Sequence, residues 1–158
     1  MVTAARTEQA RSRLSAAGKE QSNRVKITVF HCYRALNGVS LRENEAYDIQ
    51  SVKMPCSSMT RELVLLHAFE AGADAVIVFI CPEGSCDYLD GNLRAAKRVN
   101  RTKKLLNEIG LDGRRLNLYS IPRGDWIRAN RIIEQTAAEI DESGADYDYR
   151  RTKTGSRN

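Results

Sequence analysis

Four cysteines, Cys32, Cys56, Cys81 and Cys86, are the residues of this chain whose type and spacing are best suited to chemistry. Thiolate sulfur binds zinc and the iron of iron–sulfur clusters. Cys81 and Cys86 form a Cys-x₄-Cys pair, and the other two cysteines stand alone. Structural zinc sites usually combine two short Cys-x₂₋₄-Cys pairs, whereas a Cys-x₄-Cys pair is also part of the plant-type [2Fe–2S] spacing. Spacing alone therefore leaves open an iron–sulfur cluster, zinc, thiol–disulfide chemistry and unliganded buried thiols.

Each single cysteine, and the first of the pair, follows a predicted β-strand. The segment 25–31 alternates and then becomes apolar before Cys32, and the segment 48–54 is followed by Pro55 and Cys56. The uncharged apolar run 75–80 before Cys81 is typical of a strand buried on both faces. Parallel strands lie about 4.8 Å apart and end at a common edge. We therefore expect the four thiols to converge at the carboxyl edge of a sheet, where ligands bind in open α/β folds.

Helices are predicted between and after these strands. Helical spacing of apolar residues predicts helices at 59–71, 91–109 and 126–142, with a fourth strand at 115–121. The expected buried stripes are Met59, Leu63, Leu66 and Phe69 in the first helix, Leu93, Ala96, Val99, Leu106 and Ile109 in the second, and Trp126, Ala129, Ile133, Ala137 and Ile140 in the third. Alternating strands and helices predict an α/β fold, a flavodoxin-like open parallel sheet of about four strands with flanking helices.

The 158 residues are enough for one domain with two tails. We predict an N-terminal arm at 1–24, an α/β domain carrying the cysteines at 25–142 and a C-terminal tail at 143–158. The chain has no apolar run of the roughly 20 residues that a membrane helix needs and no apolar signal-peptide core, so a cytoplasmic protein without membrane insertion is expected.

The net charge of +5 raises the question of nucleic-acid binding. The basic residues concentrate in 1–26, 94–115 and 150–157 and are not interleaved with aromatic residues, so nucleic acid is not favoured. An acidic protein partner explains the charge equally well, and the arm and the basic helix 91–109 are the expected docking elements.

Independent catalysis is not indicated by the sequence. No glycine-rich phosphate loop follows the first strand, and no Ser–His–Asp set or carboxylate pair stands at the strand ends. We interpret His67 as a partly buried or interfacial helix residue rather than a ligand. The acids Glu83, Asp87 and Asp90 are expected to act mainly as caps and turn formers, and the amides of Gly84 and Ser85 are candidate donors to the cysteine sulfurs.

Several segments together resemble a known family. They are FHC at 30–32, MPCS at 54–57, EAGADAVIVFICPEGSCDYLDGN at 70–92 and the following RAAKRVNRTKKLLNEIGLD. These segments resemble the delta subunit of methyl-viologen-reducing hydrogenase, a small iron–sulfur family associated with heterodisulfide reductase in anaerobic metabolism. The similarity covers about residues 25–140.

The resemblance implies an electron-transfer subunit with one [2Fe–2S] cluster on the four cysteines. It implies partners in a hetero-oligomeric complex: a hydrogenase or formate dehydrogenase-like module and a heterodisulfide-reductase A-like flavoprotein. A zinc-stapled interaction module without a redox role is the alternative. Family members show Cys-Cys-x-x-Cys after the first strand, whereas this chain has His31, Cys32 and Ala35. A histidine can ligate such clusters, but a hydrogen-bonded strand-end His31 is the preferred interpretation.

Overall fold

A computed structural model describes residues 24–36, 41 and 44–143 of the chain. The predicted arm, the tail after Ser143 and most of the connection between the first two strands lie outside these residues. The elements in chain order are β1 (Val25–Cys32), β2 (Tyr47–Met54), a 3₁₀ helix (Ser57–Met59), α1 (Glu62–Glu70), β3 (Ala75–Ile80), α2 (Gly91–Glu108), a 3₁₀ turn (Gly113–Arg115), β4 (Leu116–Ser120) and α3 (Trp126–Ser143).

The four strands form one parallel sheet in the order β2-β1-β3-β4. The predicted flavodoxin-like α/β fold is therefore confirmed. From β1 the chain moves outward to β2 on one side and then returns to β3 on the other side. The strand order thus reverses between β1 and β3, and this reversal opens a crevice beyond their carboxyl ends. Cys32 ends β1 and Cys81 directly follows β3, so both cysteines flank this crevice.

Helices cover both faces of the sheet, which explains the uninterrupted apolar sequence of β3. Ala75, Ile77 and Phe79 pack in one core with Ile133 of α3. Their alternate neighbours Val76, Val78 and Ile80 pack in a second core with α1 and α2. Every residue of β3 is buried. A strand between two helical layers has no solvent face and needs apolar residues at each position.

The buried face of α1 differs from the predicted stripe. Leu65 and Ala68 are the buried residues, whereas Met59 and Leu63 are 54% and 64% exposed. The helix also begins at Glu62 rather than at residue 59, because the 3₁₀ helix takes up the preceding residues. Apolar residues occupy most of α1, so its periodicity does not single out one face.

The predicted stripe of α2 is partly wrong. Val99 and Leu106 are buried as expected, but Leu93 and Ile109 are exposed. Ala95 and Thr102 are buried in addition. Small and polar residues therefore fill positions where α2 comes close to the sheet, and a pattern of large apolar residues does not reveal them.

The ends of the helices follow the predicted signals more closely. Gly72, just after α1, has a φ of +94°, and Gly110, after α2, has a φ of +80°. Both are left-handed conformations that favour glycine at helix ends. Asp125 caps α3 as predicted, since its carboxylate accepts a hydrogen bond from the Arg128 amide at 3.1 Å. No helix within the described residues has the length and apolar character needed to cross a membrane.

The two leucines of α1 give a matched test of this packing. Leu65→Ala removes a side chain that is fully buried, so the free energy of unfolding should fall by about 2–5 kcal/mol. Leu63→Ala, two residues earlier, should change it by about 0.5 kcal/mol or less, because Leu63 is largely exposed. Urea unfolding followed by circular dichroism measures both, and equal losses would contradict the assigned face.

Candidate metal centre

All four cysteines lie at the carboxyl edge of the sheet, and all four are free thiols. Cys32 is the last residue of β1, Cys56 immediately precedes the 3₁₀ helix, and Cys81 immediately follows β3. These three are buried, while Cys86, in the loop before α2, is half-buried. The fold thus gathers sulfurs from three separate segments of the chain.

Cys32 and Cys81 form a first pair. A hydrogen bond joins their thiols, and the Cys32 thiol also lies 3.6 Å from the Pro55 carbonyl oxygen. Burial, together with the charges that Cys32, Cys86 and Cys56 carry when ionised, raises the pKa of the Cys81 thiol to about 12. Cys81 therefore feels all three other sulfurs, and it stays protonated near neutral pH unless a cation balances the charge.

Cys56 and Cys86 form a second pair around Gly91, the first residue of α2. A methyl group at Gly91 would lie 2.4 Å from the Cys56 sulfur and 3.1 Å from the Cys86 sulfur. Both sulfurs thus approach the same point on the helix. The backbone of Gly91 is not in the left-handed region, so its conformation does not require glycine. The glycine is needed because the two sulfurs occupy the space of a side chain.

The four sulfurs therefore come together as two pairs rather than as one closed group. Within residues 24–36, 41 and 44–143, no group of three or more His, Cys, Asp or Glu side chains is arranged to hold a single metal ion. A tetrahedral structural zinc site needs four ligands around one ion. A four-cysteine [2Fe–2S] site divides its four thiolates between two irons. Two pairs of sulfurs correspond more closely to the second requirement.

Helix α2 anchors both segments that carry the second pair. The buried Asn92 side chain donates hydrogen bonds to the carbonyl oxygens of Cys81 and Pro82, both at 3.1 Å. The Arg98 guanidinium donates to the carbonyl oxygens of Ser58 and Thr60 in the segment that follows Cys56. One rigid helix therefore fixes the loop after β3 and the segment after β2 relative to each other. Neither role was predicted from the sequence, although the Gly91-Asn92 pair in the recognised motif was a signal.

Backbone donors to the sulfurs differ from the expected ones. The Ser58 amide donates to the Cys56 sulfur at 3.4 Å. The Ser85 amide, predicted as a donor to sulfur, instead donates to the Pro82 carbonyl oxygen at 3.1 Å and so closes the turn after β3. Amide donors near a sulfur stabilise its negative charge, and here Cys56 has that support.

The acidic residues of the ligand loop are mainly ion-pairing groups rather than caps. Asp87 pairs with Arg34 at 2.7 Å and with Arg123 at 3.3 Å, and so ties the loop to the segments after β1 and β4. Asp90 occupies the cap position of α2 but makes no capping hydrogen bond, and it pairs with Arg94. These pairs are partly exposed and are each worth about 0–1 kcal/mol. Their main effect is to orient the loop.

The two histidines and Ala35 lie outside the two sulfur pairs. His31 is buried and hydrogen-bonded, with Nε2 2.9 Å from the Ser51 hydroxyl and Nδ1 3.3 Å from the Cys32 carbonyl oxygen. Burial lowers the pKa of His31, so the ring is neutral near pH 7. His67 is exposed and paired with Glu70, so the prediction that it is partly buried is wrong. Ala35 is buried in the core that contains Cys32 and Cys81.

Two open cavities border the cysteines on the solvent side. One has a volume of about 440 Å³, and its lining includes Cys81, Cys86 and Arg123. The other has a volume of about 610 Å³ and lies across Asp87 beside Tyr33 and Tyr88. The sulfur site therefore reaches the surface of the domain at the loop that carries Cys86.

Comparison with known proteins places this architecture in a family. The family described as methyl-viologen-reducing hydrogenase, delta subunit, matches residues 27–144. The F420-non-reducing hydrogenase vhu iron-sulfur subunit of Methanocaldococcus jannaschii is 31% identical over 124 residues, which cover 75% of this chain and 92% of that protein. The F420-non-reducing hydrogenase iron-sulfur subunit of Archaeoglobus profundus is 31% identical over 66% of this chain and 77% of its own length.

A longer relative contains a similar segment. It belongs to the ferredoxin:CoB-CoM heterodisulfide reductase of Methanosarcina mazei, one subunit of which is 33% identical over 109 residues. The match covers 69% of this chain but only 14% of that protein. The domain is therefore similar both to a small separate subunit and to a minor part of a larger one. By its sequence and its cysteine-bearing α/β domain, this chain belongs to the family of methyl-viologen-reducing hydrogenase delta subunits.

Proposed function

We propose that the chain is a cytoplasmic electron-transfer subunit with one [2Fe–2S] cluster on Cys32, Cys56, Cys81 and Cys86. Its partners are a hydrogenase or formate dehydrogenase-like module and a heterodisulfide-reductase A-like flavoprotein. The observation that carries this proposal is the arrangement of the four sulfurs as two pairs at one sheet edge. The names of the two hydrogenase relatives, which describe iron-sulfur subunits, support it.

The residues at the site fit such a cluster. The donor set is entirely sulfur, which suits iron–sulfur centres. Gly91 leaves the space that the Cys56 and Cys86 sulfurs need, and a hydrogen bond already joins Cys32 and Cys81. Neutral thiols must lose their protons to bind metal, and the positive charge of the metal compensates the repulsion between the thiolates that result.

The chain itself would supply the ligands, their orientation and the surrounding electrostatics. When bound, the cluster supplies one-electron redox chemistry. Asn92 and Arg98 hold the ligand-bearing segments, and the Ser58 amide stabilises charge on the Cys56 sulfur. The half-buried Cys86, beside the open cavities, marks the side on which the centre comes nearest to a partner's redox group.

The relatives support the choice of partners. Iron-sulfur subunits of F420-non-reducing hydrogenases are similar over most of their length. A segment of a heterodisulfide reductase subunit is also similar. A domain that is a separate subunit in some proteins and part of a reductase subunit in others is suited to bridge these two kinds of module.

Metal and sulfide analysis tests the cluster directly. Protein reconstituted without oxygen should hold about two irons and two sulfides per chain. It should absorb in the visible region and show an electron paramagnetic resonance signal after one-electron reduction. Serine at any one of the four cysteine positions should reduce the iron content to a minor fraction. Ser85→Ala, in the same loop but with an exposed side chain, should keep it.

Stoichiometric zinc without sulfide in freshly isolated protein would contradict the proposal and favour a zinc-stapled interaction module. Retention of full iron content in two or more of the cysteine variants would show that the ligand set is wrong. Circular dichroism of each metal-free variant controls for loss of the fold.

Two glycines of the chain allow a matched test of the space beside the sulfurs. In Gly91→Ala the new methyl group meets the side-chain sulfur of Cys56 at 2.4 Å. That sulfur can rotate away, and alanine favours the helix, so the free energy of unfolding of the metal-free chain should change by about 1 kcal/mol or less. Iron content should nevertheless fall to a minor fraction, because the sulfur has left its position.

Gly113→Ala is the control at the other end of α2. Its methyl group would meet the Lys103 carbonyl oxygen, a backbone atom, at 2.7 Å. Here the free energy of unfolding should fall by about 1–3 kcal/mol, while folded protein keeps its iron. Denaturant unfolding and iron analysis of both variants measure the two effects. Normal iron content in Gly91→Ala would show that the two sulfurs do not need that space.

A further inference from the structure

Ser57, the residue after Cys56, carries a hydroxyl group that the protein leaves without a partner. The residue is 1% exposed, and its Oγ makes no hydrogen bond. Two other buried hydroxyls of the domain are used: those of Thr102 and Thr136 each donate at 2.9 Å to the carbonyl oxygen four residues earlier. A buried hydroxyl without a partner costs folding free energy, so its presence calls for an explanation.

The position of Ser57 relates it to the sulfur site. It is the only buried residue of its 3₁₀ helix, and this helix packs against β1, β3 and α2. Those three elements bear or adjoin Cys32, Cys81 and Gly91 respectively. The unused donor therefore lies in the same corner of the sheet edge as the four sulfurs.

The 3₁₀ helix is also held in place, so Ser57 cannot easily turn toward water. Arg98 donates to the carbonyl oxygens of Ser58 and Thr60, and the Ser58 amide donates to the Cys56 sulfur. The Thr60 amide donates to the Ser57 carbonyl oxygen at 3.0 Å. The hydroxyl hydrogen itself is free to rotate, which leaves one donor available in a fixed, dry position.

We propose that Ser57 is a positioning residue whose hydroxyl donates a hydrogen bond to a sulfur of the iron–sulfur centre. This inference rests on the proposed function and adds to it a residue that is not a ligand. A hydrogen bond to sulfur stabilises the more negative, reduced state more than the oxidised state, and so raises the reduction potential. The cost of the unpartnered hydroxyl in the metal-free chain would then be offset once the centre is in place.

Ser57→Ala in the full-length chain tests this with effects of opposite sign in two forms. Without metal, the variant removes an unsatisfied polar group, so its melting temperature should rise by about 2–4 °C. With the centre in place, the variant loses a donor. The ratio of reduced to oxidised protein at a fixed potential should fall about tenfold, which corresponds to about 59 mV for one electron. Electron paramagnetic resonance during a redox titration measures that ratio.

Thr102→Val is the matched control, because it removes a buried hydroxyl that already has a partner. Thr102 lies 11 residues along α2 from Gly91, roughly 16 Å at the helical rise per residue. This variant should lower the melting temperature equally with and without metal and leave the potential unchanged. If Ser57→Ala fails to load iron, Ser57→Thr, which keeps the hydroxyl, should restore loading.

An unchanged potential in loaded Ser57→Ala would overturn the inference and leave the cluster proposal intact. Failure of the Thr variant to restore loading, with its fold intact, would overturn it as well. A wild-type chain that takes up no iron would overturn both proposals, so the two kinds of failure are distinguishable.

Discussion

The central constraint on this domain is the mutual repulsion of four sulfurs gathered where little water reaches them. Three of the four cysteines are buried, and the fourth is half-buried beside them. A buried thiolate is unfavourable, and neighbouring thiolates repel each other more strongly in a poorly polarisable interior. The raised pKa of the Cys81 thiol is the direct sign of this repulsion and burial. A positively charged occupant removes the difficulty, because it replaces four protons and attracts all four sulfurs.

The fold meets this constraint by assigning rigid elements to separate tasks. The sheet brings β1 and β3 side by side, so Cys32 and Cys81 meet where the strand order reverses. Helix α2 brings the other two sulfurs together at Gly91 and holds their segments through Asn92 and Arg98. A site built on strand ends and one helix terminus is held more precisely than one built on loops alone, and that precision is what an electron-transfer centre requires.

The sequence predicted the layout of the domain because its strongest signals are local. The apolar run 75–80 could only be a strand buried on both faces, and the structure has it at these bounds. The cap at Asp125 and the helix end at Gly72 were also predictable, since each depends on a few neighbouring residues. The buried face of α1 was not predictable, because Leu63, Val64, Leu65 and Leu66 are all apolar and only packing selects among them.

The details of the sulfur site also lay beyond the sequence. Its pairing joins Cys32 to Cys81 and Cys56 to Cys86, and neither pair is the Cys-x₄-Cys pair that first suggested a ligand motif. Such pairing depends on the strand order and on the approach of α2, which are long-range features. The unpartnered hydroxyl of Ser57 is likewise visible only once its surroundings are known.

Iron K-edge X-ray absorption of the loaded, full-length chain tests the central claim most directly. The two sulfur pairs predict a first shell made only of sulfur and a second, short scattering path from one iron to another. A first shell that contains nitrogen or oxygen, or a spectrum without the iron–iron path, would contradict the account of four cysteines sharing one two-iron centre.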